Sequence, residues 1–309
     1  MNSLSVLSPG LLTTVQDLGR EGFGTIGVSA SGAADVLALR VGNKLLGNPE
    51  SAAGLEMTLL GGAFQFSGNT QIAITGSDFG AILDGQAVAL NTVLQVASGQ
   101  TLQLGPTKAG ARTYLCVRGG IDVPPVLGSR STHLLSSLGG LEGRALRKGD
   151  ILGIGDDSKC GPASFSTMNR RSLESARNIV RVTKGPQWDS FSEETKRNFL
   201  RQSYVVTEEA NRMGIRLKGS EHELQSTGEM ITEGVSLGAI QVTPGGQPII
   251  LFVEQQTTGG YPKIANVIAA DLHKVGQLRP RDEFRFELVT MERARELFLE
   301  QERLIAAIG

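Results

Sequence analysis

Short runs in which apolar and polar positions alternate dominate the first half of the chain. Phe64 to Phe66, Gln71 to Thr75, Ala87 to Leu90, Thr101 to Leu104 and Arg112 to Val117 read as strands bounded by Gly, Asn or Asp turns. Helical spacing is rarer. Asp35 is a good N-cap ahead of Leu37, Val41 and Leu45, which fall at i, i+4 and i+8, and Gly47 stops the run. A second helix is predicted from Ser190, where Glu193 completes a capping box. The last is predicted from Thr290 to Ala307, with Leu297, Leu304, Ile305 and Ile308 as its apolar stripe. Further in, the apolar run Pro248 to Val253 predicts a strand that leads through Glu254, Gln255, Gln256, Thr257 and Thr258 to the turn Gly259-Gly260. Pro262 then stands where a first helical residue tolerates a missing N–H. Ile264, Val267, Ile268, Leu272 and Val275 keep helical spacing up to Gly276. A helix start there would offer free N–H groups to an anion or a carbonyl oxygen. The alternative is a buried turn that only joins strand to helix.

The pattern fails between Asp156 and Ser175, where the chain turns polar and aperiodic. This predicts an N-terminal lobe over residues 1–160, a linker over 161–176 and a C-terminal lobe with a terminal helix over 177–309. The lobes look like distant copies. Gly62 to Phe66 followed by Ile72 to Gly76 resembles Gly238 to Val242 followed by Ile249 to Val253, and Thr101 to Leu104 matches Glu283 to Phe286. Glu56 and Glu233 each precede a copy. The order and spacing predict a mainly β fold with a few helices, built by internal duplication of a β-barrel unit, since a closed barrel removes exposed strand edges.

Composition narrows the function classes. A chain of 309 residues, 40% of them hydrophobic, can bury a large core, and its 40 glycines suit many tight turns between short strands. A formal net charge of -1 and dispersed Arg and Lys give no attraction to nucleic acid or anionic membrane. The first ten residues lack the pattern of a signal peptide, and no apolar run reaches the ~18 residues of a membrane span. With 2 cysteines and 3 isolated histidines, neither a disulfide framework nor a structural metal is expected, and a reducing cytoplasm fits.

Three motifs can carry chemistry. Gln16, Asp17 and Arg20 place a donor-acceptor, an acid and a cation in one Gly-containing loop, either to meet a ligand or to fasten the loop through an Asp17–Arg20 ion pair. Val117 to Asp150 holds Gly119-Gly120 and Gly139-Gly140, whose N–H groups could approach a ligand, with Arg130 and Arg144 adding charge. Asn211 to Leu217 alternates polar and apolar residues, so Arg212 and Arg216 would share a strand face. No GxxxxGK[ST] and no Gly-x-Ser-x-Gly occurs, so neither a Walker-type ATP site nor a serine nucleophile elbow is expected.

Leu12 to Arg20, Ser31 to Asp35, Gly119 to Thr132, Gly139 to Asp150, Asn211 to Leu217 and Thr257 to Pro262 together resemble the biotin-dependent carboxyltransferase or allophanate hydrolase subunit 2 family. That family includes the C subunits of 5-oxoprolinases and the KipI antagonist KipA. The resemblance runs from Val6 to Phe286 and implies two cyclophilin-like β-barrel units. It also implies a KipI-like partner of the subunit 1 family, which is the B subunit in oxoprolinases. Three activities are implied: ATP-dependent hydrolysis of 5-oxo-L-proline to L-glutamate with that partner and a LamB/YcsF-like A subunit; carboxyl transfer to urea; or capture of a sensor-kinase inhibitor. The chain has no biotin-carrier or ATP-grasp segment, so the first is expected, with ATP used by the complex and bound by no motif of this chain. Gln16, Asp17 and Arg20 are the candidate catalytic, orienting groups. Arg130, Gly139, Gly140, Arg144, Asn211, Arg212, Gln255, Thr257, Thr258, Gly259, Gly260 and Tyr261 are the candidate substrate binders. Two residues depart from the family pattern: His133 stands where Asp is expected, and Glu254 where relatives often carry Asp.

Overall fold

The computed structural model describes residues 2–164, 178–219, 224–225 and 230–308. The predicted linker falls largely on 165–177 and His222 on 220–223, both outside the described residues. The chain divides into two compact units: Met1–Arg20 with Ser31–Arg170 and Leu304–Gly309, and Glu21–Ala30 with Arg171–Arg303.

In the first unit the strands are β1 (Ser3–Ser8), β2 (Leu12–Gln16), β3 (Gly54–Thr58), β4 (Ala63–Phe66), β5 (Thr70–Gly76), β6 (Ile82–Leu83), β7 (Gln86–Ala87), β8 (Val93–Val96), β9 (Thr101–Gln103), β10 (Arg112–Val117), β11 (Ile121–Asp122) and β12 (Ile151–Ile154). They form a seven-stranded sheet, β11-β12-β1-β4-β9-β6-β7, and a five-stranded sheet, β2-β3-β10-β5-β8. Alternate residues of both sheets build one core: Leu4, Val6, Phe64, Phe66 and Leu102 from the larger, Val15, Leu55, Ile72, Ile74 and Leu115 from the smaller. Helix α1 (Val36–Leu45) lies against β5 and β10. It starts as predicted, with Asp35 Oδ1 accepting from Ala38 N at 2.8 Å. Thr75 Oγ1 donates to Ala38 O at 2.7 Å and ties the helix to β5.

In the second unit, β13 (Ile179–Lys184), β14 (Tyr204–Val206), β15 (Gly214–Gly219), β17 (Ala239–Val242), β18 (Pro248–Leu251), β20 (Lys263–Val267) and β21 (Glu283–Leu288) close a barrel in the order β13-β20-β17-β18-β15-β14-β21. A separate two-stranded antiparallel sheet pairs β16 (Glu233–Gly234) with β19 (Thr258–Gly259). The helices are α2 (Glu193–Arg201), α3 (Leu272–Val275) and α4 (Met291–Ala306). Phe199 of α2 stacks on Phe286 with centroids 4.7 Å apart, and Tyr204 and Phe284 complete the aromatic cluster.

The fold is thus mainly β, as the alternation predicts, but several elements differ in detail. Lys263–Val267 is a strand, not the helix predicted after Pro262; it pairs with both β13 and β17. Two flanking ladders and β-branched Ile264 and Val267 outweigh an apolar spacing that also fits a helix. Only Leu272–Val275 near the end of that stretch is α-helical, so no long helix starts at Pro262 to receive an anion. Helix α2 is capped by Ser192, whose Oγ accepts from Thr195 N at 3.1 Å, while Ser190 lies in the 3-10 turn Trp188–Ser190. Along α4 the predicted stripe is partial: Ile305 is buried, Leu297 half-buried and Leu304 exposed, with Ile308 buried just beyond. The strands matched between the lobes also pair differently. β4 pairs with β1 and β9, whereas β17 pairs with β18 and β20, and β21 with β13 and β14. No helix is long and apolar enough to cross a membrane among the described residues.

Candidate functional site

The loop after β2 is knotted to the loop 126–132. Asp17 Oδ1 accepts from Gly19 N (2.8 Å), Ser129 Oγ (2.6 Å) and Ser131 Oγ (2.5 Å), while Oδ2 accepts from Arg130 N at 2.6 Å. Arg20 donates Nη2 to Ser131 O and Nε to Val126 O (3.4 Å). Gln16 Nε2 donates to Thr132 O and to Thr14 Oγ1, both at 3.0 Å. All three side chains are buried, at 0% exposure for Gln16, 8% for Asp17 and 2% for Arg20. Asp17 is thus held by two serine hydroxyls and by the Gly19 and Arg130 amides, and Arg20 reaches the carbonyls of the same loop. Most of the polar atoms of Gln16, Asp17 and Arg20 are engaged with this loop, while Gln16 Oε1 and Arg20 Nη1 are buried without a hydrogen bond among the described residues.

The glycines of the second motif belong to the same knot. Gly139 and Gly140 have φ of +64° and +55°. A Cβ on Gly139 would strike Ser131 O and sit 2.8 Å from Arg20 Nη2, and one on Gly140 would strike Thr132 Oγ1. The glycines serve close packing here. Arg130 is half-buried, and its Nη2 reaches Asp122 Oδ1 at 3.2 Å across an exposed pair. Arg144 is paired with Asp150 through Nη1 (2.8 Å) and Nη2 (3.0 Å), and with Glu142 at 2.9 Å. The Arg144 guanidinium holds the Asp150 carboxyl below its usual range. Its charge is thus already answered by protein carboxylates. Beside the knot, Glu56 Oε2 accepts from Ala34 N (2.8 Å) and Tyr114 Oη (2.6 Å), and Arg112 Nε lies 3.4 Å from Oε1. Burial, then the Glu56 charge, pushes the Tyr114 hydroxyl well above its ordinary range. This neutral phenol also accepts from Asp35 N at 2.7 Å, which fixes the start of α1.

The third motif lies on the barrel. Arg212 and Glu254 form a buried pair, Nε to Oε1 2.5 Å, with side-chain exposures of 6% and 4%. Arg216, four residues on, is half-buried and lies 3.6 Å from Glu209. Gln255 Nε2 donates to Val235 O at 3.2 Å. Thr258 and Gly259 pair with Gly234 and Glu233, and the Thr257 and Gly260 carbonyls accept from Val235 N and Met230 N. The backbone of Thr257 to Gly260 is therefore engaged in pairing with the segment 230–235. Tyr261 and Asn211 come together in a pocket of about 240 Å³, with Met213, Gly214, Arg216, Gln241, Thr243, Ile249, Leu251 and Gln256. Gln241, Gln256 and Arg216 belong to this pocket without having been nominated from sequence. Their convergence depends on strand register, and only the alternation over Asn211 to Leu217 pointed to it.

The family model described as carboxyltransferase domain, subdomain A and B, matches residues 26–288. The chain is 38% identical over 302 residues to the 5-oxoprolinase C subunit of Haemophilus influenzae, covering 94% of this chain and 95% of that protein. It is 39% identical over 300 residues to the 5-oxoprolinase C subunit of Escherichia coli, covering 97% and 96%. The crystal structure of the Kluyveromyces lactis urea carboxylase superposes with a TM-score of 0.90 at 33% identity, covering 99% of this chain and 29% of that one.

Proposed function

The chain belongs to the carboxyltransferase domain, subdomain A and B, family, and from that premise we propose that it is the C subunit of an ATP-dependent 5-oxoprolinase. In this reading it hydrolyses 5-oxo-L-proline to L-glutamate only together with a KipI-like subunit and a LamB/YcsF-like subunit. The observation that carries the reading is the end-to-end likeness to two proteins named as 5-oxoprolinase C subunits, each matched over at least 95% of its own length. The likeness to the urea carboxylase, by contrast, spans 29% of that chain.

The chemistry is consistent with this division of labour. ATP-coupled opening of a lactam needs its amide oxygen activated and held by fixed donors, with bulk water kept out. One water is admitted to attack the carbonyl carbon as the C–N bond breaks and the nitrogen is protonated, and a second water is spent as ATP goes to ADP and phosphate. The barrel pocket supplies polar side chains of that kind on a rigid wall, and the first unit supplies a buried, hydrogen-bonded loop scaffold. No Walker-type motif occurs in the chain, and ATP is assigned to the complex.

A second reading, the carboxyl-transfer half of a urea carboxylase, is favoured by the TM-score of 0.90 to such an enzyme. Supplying the assembled complex with ATP and either 5-oxo-L-proline or urea with bicarbonate separates the two. Glutamate release with no urea-dependent ATP consumption is expected, and the opposite pattern would transfer the assignment to carboxyl transfer.

A further inference from the structure

Strand register lines up a row of side chains across the barrel wall. Arg216 pairs with Ile249, Ile249 with Gln241 and Gln241 with Lys263, so β15, β18, β17 and β20 present them side by side. The next row, Ile215, Ile250 and Ile240, points to the opposite face and is buried in the core. The pocket of about 240 Å³ opens over the first three residues of the polar row. It is smaller than the ~300–1,000 Å³ of sites for drug-sized ligands, and so suits a small molecule.

The polar side chains of this pocket are only weakly tied to the rest of the protein. Gln241 is 1% exposed, and its Nε2 makes a long bond of 3.4 Å to Tyr261 O. A bond of that length leaves the carboxamide free to meet a ligand at little cost. Gln256 is exposed and Tyr261 half-buried, and both line the same pocket. Arg216 has only Glu209 near it, at 3.6 Å across an exposed pair, whereas Arg212 and Arg144 are tied to carboxylates at 2.5 and 2.8 Å. Met213, Ile249 and Leu251 supply an apolar floor.

We propose that this pocket binds a small cyclic amide that carries a carboxylate, with Arg216 taking the carboxylate and Gln241 and Gln256 the amide edge. A guanidinium fork suits a carboxylate, and a side-chain carboxamide offers the donor and acceptor that an amide N–H and C=O require. Gly259 is the positioning residue: a Cβ there would crowd Gln241 Nε2 and lie 2.9 Å from Gln256 Nε2, so its absence lets the two amides converge. The inference rests on the oxoprolinase reading for the identity of the amide, 5-oxo-L-proline.

The test uses the assembled complex and two probes, 5-oxo-L-proline as substrate and 2-pyrrolidone, the same ring without the carboxylate, as competitor. Arg216→Gln should raise KM for 5-oxo-L-proline about tenfold with little change in kcat, and leave inhibition by 2-pyrrolidone unchanged. Gln241→Leu should weaken both. An active complex in which both variants keep the wild-type KM and the wild-type 2-pyrrolidone inhibition overturns the pocket assignment and leaves the oxoprolinase reading standing. If the wild-type complex releases no glutamate, that reading fails, and titrating the full chain with 5-oxo-L-proline by NMR decides the pocket. Saturable shifts weakened by Arg216→Gln support it, and no saturable shift at tens of millimolar overturns it.

Discussion

Asp17 shows how a residue that looks chemical in sequence becomes architectural in three dimensions. Its carboxylate receives Gly19 N, Ser129 Oγ, Arg130 N and Ser131 Oγ while 8% exposed. Asp17→Asn turns an amide NH₂ toward one of these donors, and the unmet group should cost about 1–3 kcal/mol, read as a lower urea midpoint of the full chain. That Asp17 and Arg20 fasten one loop was legible from their spacing. Their true partners were not, because residues 126–132 follow more than a hundred positions later and nothing local announces the contact. The same holds for Glu254, whose partner Arg212 sits 42 residues away. Glu254→Ala strands a buried guanidinium and should cost about 3–5 kcal/mol in the same measurement.

Acid sensitivity is also decided by single residues. Burial alone would raise the Asp271 carboxyl, but hydrogen bonds from Arg181 and the charge of Lys274 outweigh it and hold the group below its usual range. A carboxyl depressed in the folded state contributes stability that is present above its unfolded pKa of ~3.9 and lost as pH falls through the folded value. Wild type should therefore exceed Asp271→Asn in stability at neutral pH, and the gap should close as denaturation midpoints are followed down to strong acid. A gap that does not change with pH would mean that the charge of Asp271 is not what matters.

At the scale of elements, caps and strand pairing separate what periodicity can and cannot tell. The cap of α1 was readable because Asp35 is immediately followed by an i, i+4, i+8 apolar face. For α2 the capping-box spacing selected Ser190, yet the side chain that accepts from the first turn is Ser192. Ser192→Ala should cost about 1 kcal/mol and Ser190→Ala much less, which thermal melts of the two variants compare directly. Ile264, Val267 and Ile268 keep the i, i+3, i+4 spacing of a helix, and only the pairing of Lys263–Val267 with β13 and β17 reveals β20. The glycines of the 139–140 turn work through their missing side chains. Gly140→Ala would drive a Cβ into Thr132 Oγ1 at φ +55° and should lower the melting temperature by several degrees.

For the whole molecule, the mainly β character and the family were legible because six motifs keep their order along the chain. Which residues converge on the barrel pocket was not, because Arg216, Ile249 and Gln241 are neighbours only through register. The central claim is that this chain is the C subunit of a 5-oxoprolinase. The most direct measurement is ATP-dependent glutamate release from 5-oxo-L-proline by the purified KipI-like and LamB/YcsF-like partners, with and without this chain. Sustained release is expected only when all three are present. No release from the full set, or equal release without this chain, would contradict it.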